Sequence, residues 1–371
     1  MKDRRKFNGI IKNNMNFNNT PIDWHQVHEV ISAADRIMLS THENPDGDGL
    51  GAECGLYYHL KEIGKDVRIV NFSPLPDYYS FLNSDEIFEC YDQDSYENWI
   101  KDVDLVIIFD VGDYVRIRTI VDAIESHGLT TMNIDHHPHS DDHPFTHNVV
   151  DLSAAATGCM VYDYLQIART DPIVKKSFEG IYTAVMTDTG CFRYSNTNKK
   201  CYEIAIQCLE SGVETHTIYQ NIYENSTKSR MQLMGELLTN LHYELDGNLA
   251  WFVITQEMMD RAQASKADVD GFSDMVRTIR GVEVALMIFE QNEESCRINF
   301  RSKGKYSVND IAKSLGGGGH AFAAGAVVSG SLVDVKEKTV NASIESIRQK
   351  MNEIGRRRVG KECRSRWSPY H

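Results

Sequence analysis

The sequence predicts an α/β protein of two domains. The first is a mostly parallel sheet flanked by helices, the second a smaller α+β domain, with a cleft between them. Three observations carry this expectation. The chain has 371 residues, more than one ordinary core and suited to two. Its first half alternates short apolar runs with segments of helical period, as a parallel sheet covered by helices requires. A fresh α+β pattern then restarts near residue 249.

The elements follow in order. Residues 1–22, rich in Asn and Lys, read as a flexible extension without the apolar stretch of a secretory signal. A strand at 36–40 feeds a loop. A helix over 49–63 follows, with Leu50, Leu56, Tyr57 and Leu60 near helical spacing. Strands are expected at 66–72, 104–109 and 130–134, with a helix at 117–125. Residues 157–167, 175–187 and 200–211 carry apolar positions every three or four residues, and 218–245 reads as helix interrupted near Asn225-Ser226-Thr227, the expected domain junction. Beyond it come strands at 249–254, 282–290, 295–301 and 323–328, and helices at 270–280 and 308–314.

Composition narrows the function classes. With 42% hydrophobic and 25% charged residues the chain is globular, and no apolar run approaches the roughly 20 residues that span a bilayer. Eight cysteines without a Cys-x-x-Cys pair argue against a structural zinc site and fit a reducing cytoplasm. A net charge of −14 argues against a grip on long duplex DNA, although bound cations can invert the local field for a phosphate. The basic end, with Arg356-Arg357-Arg358, Lys361, Arg364 and Arg366, reads as a solvated terminus.

Chemistry concentrates in four places: His42-Glu43-Asn44-Pro45-Asp46-Gly47-Asp48, Asp110, Asp135-His136-His137 and Thr187-Asp188-Thr189-Gly190. Each ends or closely follows an expected element, and open parallel sheets bind ligands beyond the carboxyl ends of their strands. A single Asp there is usually a cap or turn residue. Several such clusters mixing Asp with His are hard to obtain from capping alone. They suit a pair of divalent cations about 3.5–4 Å apart, with Asp110 bridging them and a shared hydroxide attacking phosphorus. Carboxylate and imidazole ligands favour Mn²⁺ or Mg²⁺, and the histidines tilt the choice to Mn²⁺. A dinucleotide fold is rejected: Gly47, Gly49 and Gly51 lack the G-x-G-x-x-G spacing, and Asp46 and Asp48 would repel a bare pyrophosphate. Gly316-Gly317-Gly318-Gly319-His320, between an apolar helix and an apolar strand, reads as a backbone anion nest. Arg301 is shaped for bidentate phosphate contact, and Arg193 could face the cleft. His139, Asp141, Asp142, His143 and His147 read as loop.

Together these motifs resemble the DHH phosphoesterase family, and the second half, with Gly317-Gly318-Gly319-His320, is similar to its DHHA1 domain. The resemblance implies that His42, Asp46 and Asp110 hold one cation and that Asp48, Asp110, His136 and Asp188 hold the other. It implies that His137 serves the scissile phosphate, that Asp135 orients His136, and that Arg301 with Gly317, Gly318, Gly319 and His320 grips the substrate. The implied boundaries are an extension at 1–22, a catalytic domain at 23–225, a linker helix at 226–245, a substrate-binding domain at 246–350 and a basic tail at 351–371. Compact two-domain members degrade very short oligoribonucleotides to nucleoside monophosphates and convert 3′-phosphoadenosine 5′-phosphate to AMP. The alternative is a phosphodiesterase for cyclic or linear dinucleotides such as c-di-AMP or pApA. A catalytically silent nucleotide-binding module would have lost ligands, and all are present. A homodimer in the cytoplasm, with no membrane association, is the expected state.

Overall fold

A computed structural model of the chain describes residues 14–18, 20–139, 142–169, 171–319 and 321–365. It divides into two units, at Asn225 and Ser226.

The first unit runs β1 (Met15–Asn16), α1 (Trp24–Ala33), β2 (Arg36–Thr41), α2 (Gly47–Glu62), β3 (Asp66–Asn71), β4 (Phe88–Cys90), α3 (Gln93–Ile100), β5 (Leu105–Phe109), α4 (Ile120–His127), β6 (Thr131–Asp135), β7 (His147–Val150), α5 (Thr157–Ala168), α6 (Lys175–Asp188), α7 (Lys199–Glu210) and α8 (Thr215–Tyr223). Its sheet has the order β1-β7-β6-β5-β2-β3-β4, and every pair is parallel. The central strand β5, Leu-Val-Ile-Ile-Phe, is buried throughout. Leu105, Ile107 and Phe109 join the core formed with α1, α2, α5, α6 and α7. Val106 and Ile108 join the core formed with α3 and α4. A strand covered on both faces has no use for alternating polar residues, which is why it appears in the sequence as an unbroken apolar run. Strand order reverses between β2 and β5. Such a switch point opens a crevice at the strands' carboxyl ends.

The second unit runs α9 (Lys228–Thr239), β8 (His242–Glu244), β9 (Leu249–Ile254), α10 (Gln256–Ala262), α11 (Phe272–Arg277), β10 (Val284–Asn292), β11 (Ser295–Ser302), α12 (Asn309–Ser314), β12 (Gly318–Gly319), β13 (Ala323–Ser329) and α13 (Leu332–Ser365). Its sheet order is β12-β13-β11-β10-β9-β8, antiparallel except for β9 with β10. One face packs on α12 and α13 through Ile311, Val335 and Ile347. The other packs on α9, α10 and α11 through Leu237, Met258 and Phe272. No helix among the described residues is long and apolar enough to cross a membrane.

Several expected elements differ. The helix expected over 218–245 is two helices and a strand. The chain enters a hairpin after β8, where Leu245, Asp246 and Gly247 all have positive φ. Asp246-Gly247 is a hairpin signal that the helical period masked. Leu233 and Leu237 of α9 are fully buried in the second unit, so this helix is core material. The 117–125 helix begins only at Ile120, because Arg118 takes a left-handed φ of 55°. The 270–280 helix is limited to Phe272–Arg277. Met15 and Asn16, placed in a flexible extension, pair with β7. His147, read as loop, lies buried in that same strand. Residues 351–365, placed in a tail, continue α13, with Met351 and Ile354 packed on the core.

Candidate metal centre

His42 leaves the end of β2, Asp110 the end of β5 and Asp135 the end of β6. Asp46 and Asp48 open α2, and Asp188 closes α6. These ends bring ligand atoms together in three overlapping groups, each within 4.8 Å: His42 with Asp46 and Asp110; Asp48 with His136 and Asp188; and Asp110 with Asp135, His136 and His137.

Each side chain is aimed by a specific partner. His42 Nδ1 lies 2.7 Å from the Glu43 carbonyl oxygen and 3.0 Å from the Arg116 guanidinium. Donation of Nδ1–H to the shorter partner leaves Nε2 facing Asp110 at 3.6 Å and Asp46 at 3.7 Å. Asp46 is the most open member, its side chain 60% exposed, and it also caps α2 by accepting from the N–H groups of Asp48 and Gly49. The Asp48 carboxylate accepts from Thr157 N–H (2.7 Å) and Gly158 N–H (2.9 Å), so the first turn of α5 orients it. Asp110 has a left-handed φ of 56°, a conformation costly for a non-glycine residue and met most often at functional sites.

His136 decides whether the cluster suits a cation. Its Nδ1 faces the Ala154 carbonyl oxygen at 3.3 Å. Its Nε2 is buried and has no hydrogen-bond partner among the described residues. That nitrogen lies 3.5 Å from Asp48, 3.6 Å from Asp110 and 3.8 Å from Asp188, a spacing suited to a shared ion. A buried polar atom left unpaired is costly. A divalent cation would satisfy it and the surrounding carboxylates together.

Electrostatics agree. Burial, then Asp110 and Asp188, push the Asp48 carboxyl far above its ordinary range. Burial also lifts Asp188 to about 6, with Asp110 and Asp46 adding to it and His136 opposing. Burial works against a charged His42, but Asp110 and then Asp46 outweigh it and raise its pKa to about 10. An entering cation must displace that proton, so its affinity rises with pH.

Asp135 was expected to orient His136. Instead its Oδ1 accepts from the Nδ1 (2.9 Å) and backbone N–H (3.0 Å) of His137, and its Oδ2 accepts from His139 Nε2 at 2.7 Å. The hydrogen-bond partner of His136 Nδ1 is instead the Ala154 carbonyl oxygen. His139, read as loop, is therefore a buried part of the site. Burial opposes a charged His137, yet Asp110 and Asp135 raise its pKa to about 11. Asn196 was also missed; its Nδ2 donates to the Asp188 carbonyl oxygen and carboxylate at 3.1 and 3.3 Å. Arg193 donates Nε to the Gly190 carbonyl at 2.7 Å.

In the second unit Arg301 pairs with Asp274 at 3.0 Å. Gly318 and Gly319 pair with β13, and space is open where a Gly318 side chain would stand. His320 lies outside the described residues.

Glu53 supports the cluster from below. It is fully buried in α2, and its Oε2 accepts from Asn71 Nδ2 at 2.9 Å. Asn71 Oδ1 in turn accepts from Thr41 N–H at 2.9 Å, next to His42. Burial lifts the Glu53 pKa from 4.5 to about 8, against the opposing effects of Asn71 and His42. The folded side chain stays protonated where the unfolded one is ionised. This contribution to stability is complete below about pH 4.5 and is lost as pH rises to about 8. Glu53→Gln, neutral throughout, should gain on the wild type across that window by a few kcal/mol, at about 1.4 kcal/mol per pKa unit. Urea unfolding in chelator at several pH values measures this; a difference independent of pH would refute it.

Carboxylates crowded this closely share their space with cations, and at the switch point of a parallel sheet that requirement describes a metal-assisted hydrolase of phosphate esters. Residues 36–187 match the DHH family N-terminal domain and residues 249–353 the DHHA1 domain. The chain is 31% identical over 330 residues to the bifunctional oligoribonuclease and PAP phosphatase NrnA of Thermus thermophilus, covering 89% of this chain and 94% of that one. The corresponding Bacillus subtilis protein is 29% identical over 302 residues, covering 80% and 91%. A solved exopolyphosphatase-related protein from Bacteroides fragilis superposes with a TM-score of 0.79 at 27% identity, over 88% of this chain and 95% of that one. The chain belongs to the DHH family of phosphoesterases.

Proposed function

We propose that the protein hydrolyses very short oligoribonucleotides to nucleoside monophosphates and converts 3′-phosphoadenosine 5′-phosphate to AMP. The observation that carries this reading is the convergence of His42, Asp46, Asp48, Asp110, His136 and Asp188. The likeness to NrnA over most of both chains supports the substrate class. His42, Asp46 and Asp110 would hold one divalent cation, and Asp48, Asp110, His136 and Asp188 a second, with Mn²⁺ favoured by the mixed donors. When bound, such cations supply Lewis-acid charge toward phosphoryl oxygens and acidify water near neutral pH. Asp135 and His139 hold His137 beside Asp110, and His137 donates to the scissile phosphate. Arg301, Gly317, Gly318, Gly319 and His320 would grip a terminal phosphate of the substrate, Arg301 giving up Asp274 for it. Seven free cysteines among the described residues, five of them buried, fit a reducing cytoplasm.

The test is a panel of substrates incubated with the full chain and Mn²⁺: pApA, RNAs of increasing length, 3′-phosphoadenosine 5′-phosphate, c-di-AMP and pyrophosphate. Mononucleotide release from the shortest RNAs, falling with length, and AMP from the bisphosphate are expected. Turnover of pyrophosphate alone, or of nothing, would overturn the reading.

A further inference from the structure

Immediately after Asp188 the chain does something costly. Gly190, Cys191 and Phe192 have φ of 54°, 58° and 60°, three consecutive left-handed residues of which two have side chains. Such strain persists only where the surroundings impose it, and it gathers at ligand sites. Thr189 imposes it here. Its hydroxyl oxygen accepts from Phe192 N–H, and its carbonyl oxygen accepts from the N–H groups of Arg193 and Tyr194, all at 3.0 Å. The turn folds Tyr194 back over the end of α6. A methyl group placed on Gly190 would lie 2.4 Å from Tyr194 Cζ, so the ring covers the backbone two residues from Asp188.

Helix α8 brings two more tyrosines to this edge. Tyr219 and Tyr223 stand one turn apart with ring centroids separated by 5.1 Å. The helix packs on α6, and burial, then Cys191 and Tyr194, push the Tyr223 hydroxyl above its ordinary range. Buried Tyr79 links the group to the metal centre. Its hydroxyl would stand 2.9 Å from a methyl group on Gly47, and α8 packs on the Asp77–Asn83 turn that carries it. The three outer rings are half exposed: Tyr194 50%, Tyr219 39% and Tyr223 42%. Exposed apolar side chains scattered singly need no explanation, but a cluster of aromatics does.

Resting on the phosphoesterase reading, we propose that Tyr194, Tyr219 and Tyr223 form a stacking platform for one nucleobase of the bound oligonucleotide. A base is joined to its phosphate by one ribose, so its receptor must border the group that binds the phosphate, as this rim does. Aromatic rings accept any base by its flat face while a tyrosine hydroxyl stays in water. The platform therefore binds bases without selecting among them.

Steady-state kinetics of the full chain with Mn²⁺ test this. The substrates are pApA and two analogues, each lacking one base. Tyr194→Ala and Tyr223→Ala should raise KM for pApA about tenfold, with kcat within about twofold. Tyr223→Phe, which keeps the ring, should stay near wild type. The alanine penalty should vanish on the one analogue that lacks the stacked base. Unchanged KM, or a penalty that persists on both analogues, overturns the platform. If the wild type hydrolyses none of the three, the phosphoesterase reading fails instead. AMP binding by calorimetry then still judges the platform: it stands if Tyr223→Ala weakens binding and falls if it does not. Loss of self-association in Tyr223→Ala without a change in KM would assign the patch to a second copy of the chain and overturn the proposal.

Discussion

Asp110→Ala is expected to lower kcat/KM for pApA by on the order of a thousandfold or more, and to remove the stabilisation that Mn²⁺ confers. Asp110 belongs to two of the three ligand groups, facing His42 in one and His136 and His137 in another. With the two cations proposed above, its loss would weaken both positions at once, and removing even one preorganised electrostatic partner typically costs about 10²–10³ in rate. A ligand that binds only the folded state stabilises it by about 2.7 kcal/mol at a hundredfold excess over its Kd. Thermal unfolding with and without Mn²⁺ should show that rise in the wild type and not in Asp110→Ala. Asp46→Asn is the comparison. It keeps an oxygen to cap α2, touches one ligand group only and leaves the open side of the centre, so it should lose less of both properties. Full activity in Asp110→Ala would refute a shared ligand.

Gly51→Ala is expected to destabilise the first unit by about 3 kcal/mol and to weaken metal binding although it touches no ligand. A methyl group on Gly51 would lie 2.3 Å from the Gly180 carbonyl oxygen and 2.8 Å from Ala184 N. A methyl group on Gly180 would lie 2.6 Å from the Gly51 carbonyl oxygen. The backbones of α2 and α6 are thus in contact, and neither can move aside as a flexible side chain could. Helix α2 starts at the Asp46–Asp48 turn and α6 ends at Asp188, so parting the helices separates Asp48 from Asp188. Gly235→Ala in α9 is the control. Space is open around Gly235, and exchanging a helical glycine for alanine there should stabilise by about 0.5 kcal/mol. Urea unfolding of both variants, with Mn²⁺ titrated by calorimetry, measures this. A Gly51→Ala protein with the wild-type midpoint would refute the close approach.

The converging Asp and His side chains were legible because each stands at or beside the end of an expected element. Residues 105–109 are an unbroken apolar run and 130–134 a short strand-prone stretch of Thr, Met, Asn and Ile, and Asp110 and Asp135 stand at their ends. Their supporting residues were not legible. Glu53 looks like an ordinary helical charge until α2 is found buried on every side. Asn196 sits in a Ser-Asn-Thr-Asn stretch that any surface turn might contain, and only the fold of α6 onto that turn puts its amide on Asp188. His139 reads as loop because it lies outside the Asp135-His136-His137 motif, yet it is four residues from Asp135, close enough for a turn to join them. The strand at His242–Glu244 was lost to a helical period that continued through it by coincidence.

Local order along the chain determined which side chains could ligate and at which strand ends they emerge, because apolar periodicity and the residues that interrupt it are short-range properties. Which oxygen faces which nitrogen was decided only by tertiary structure. The left-handed turn at Asp110, the helix start that clamps Asp48, the backbone contact of α2 with α6 and the tyrosine rim beside Asp188 join segments far apart in sequence. Packing forces those segments together, and no stretch of the chain read alone contains that information.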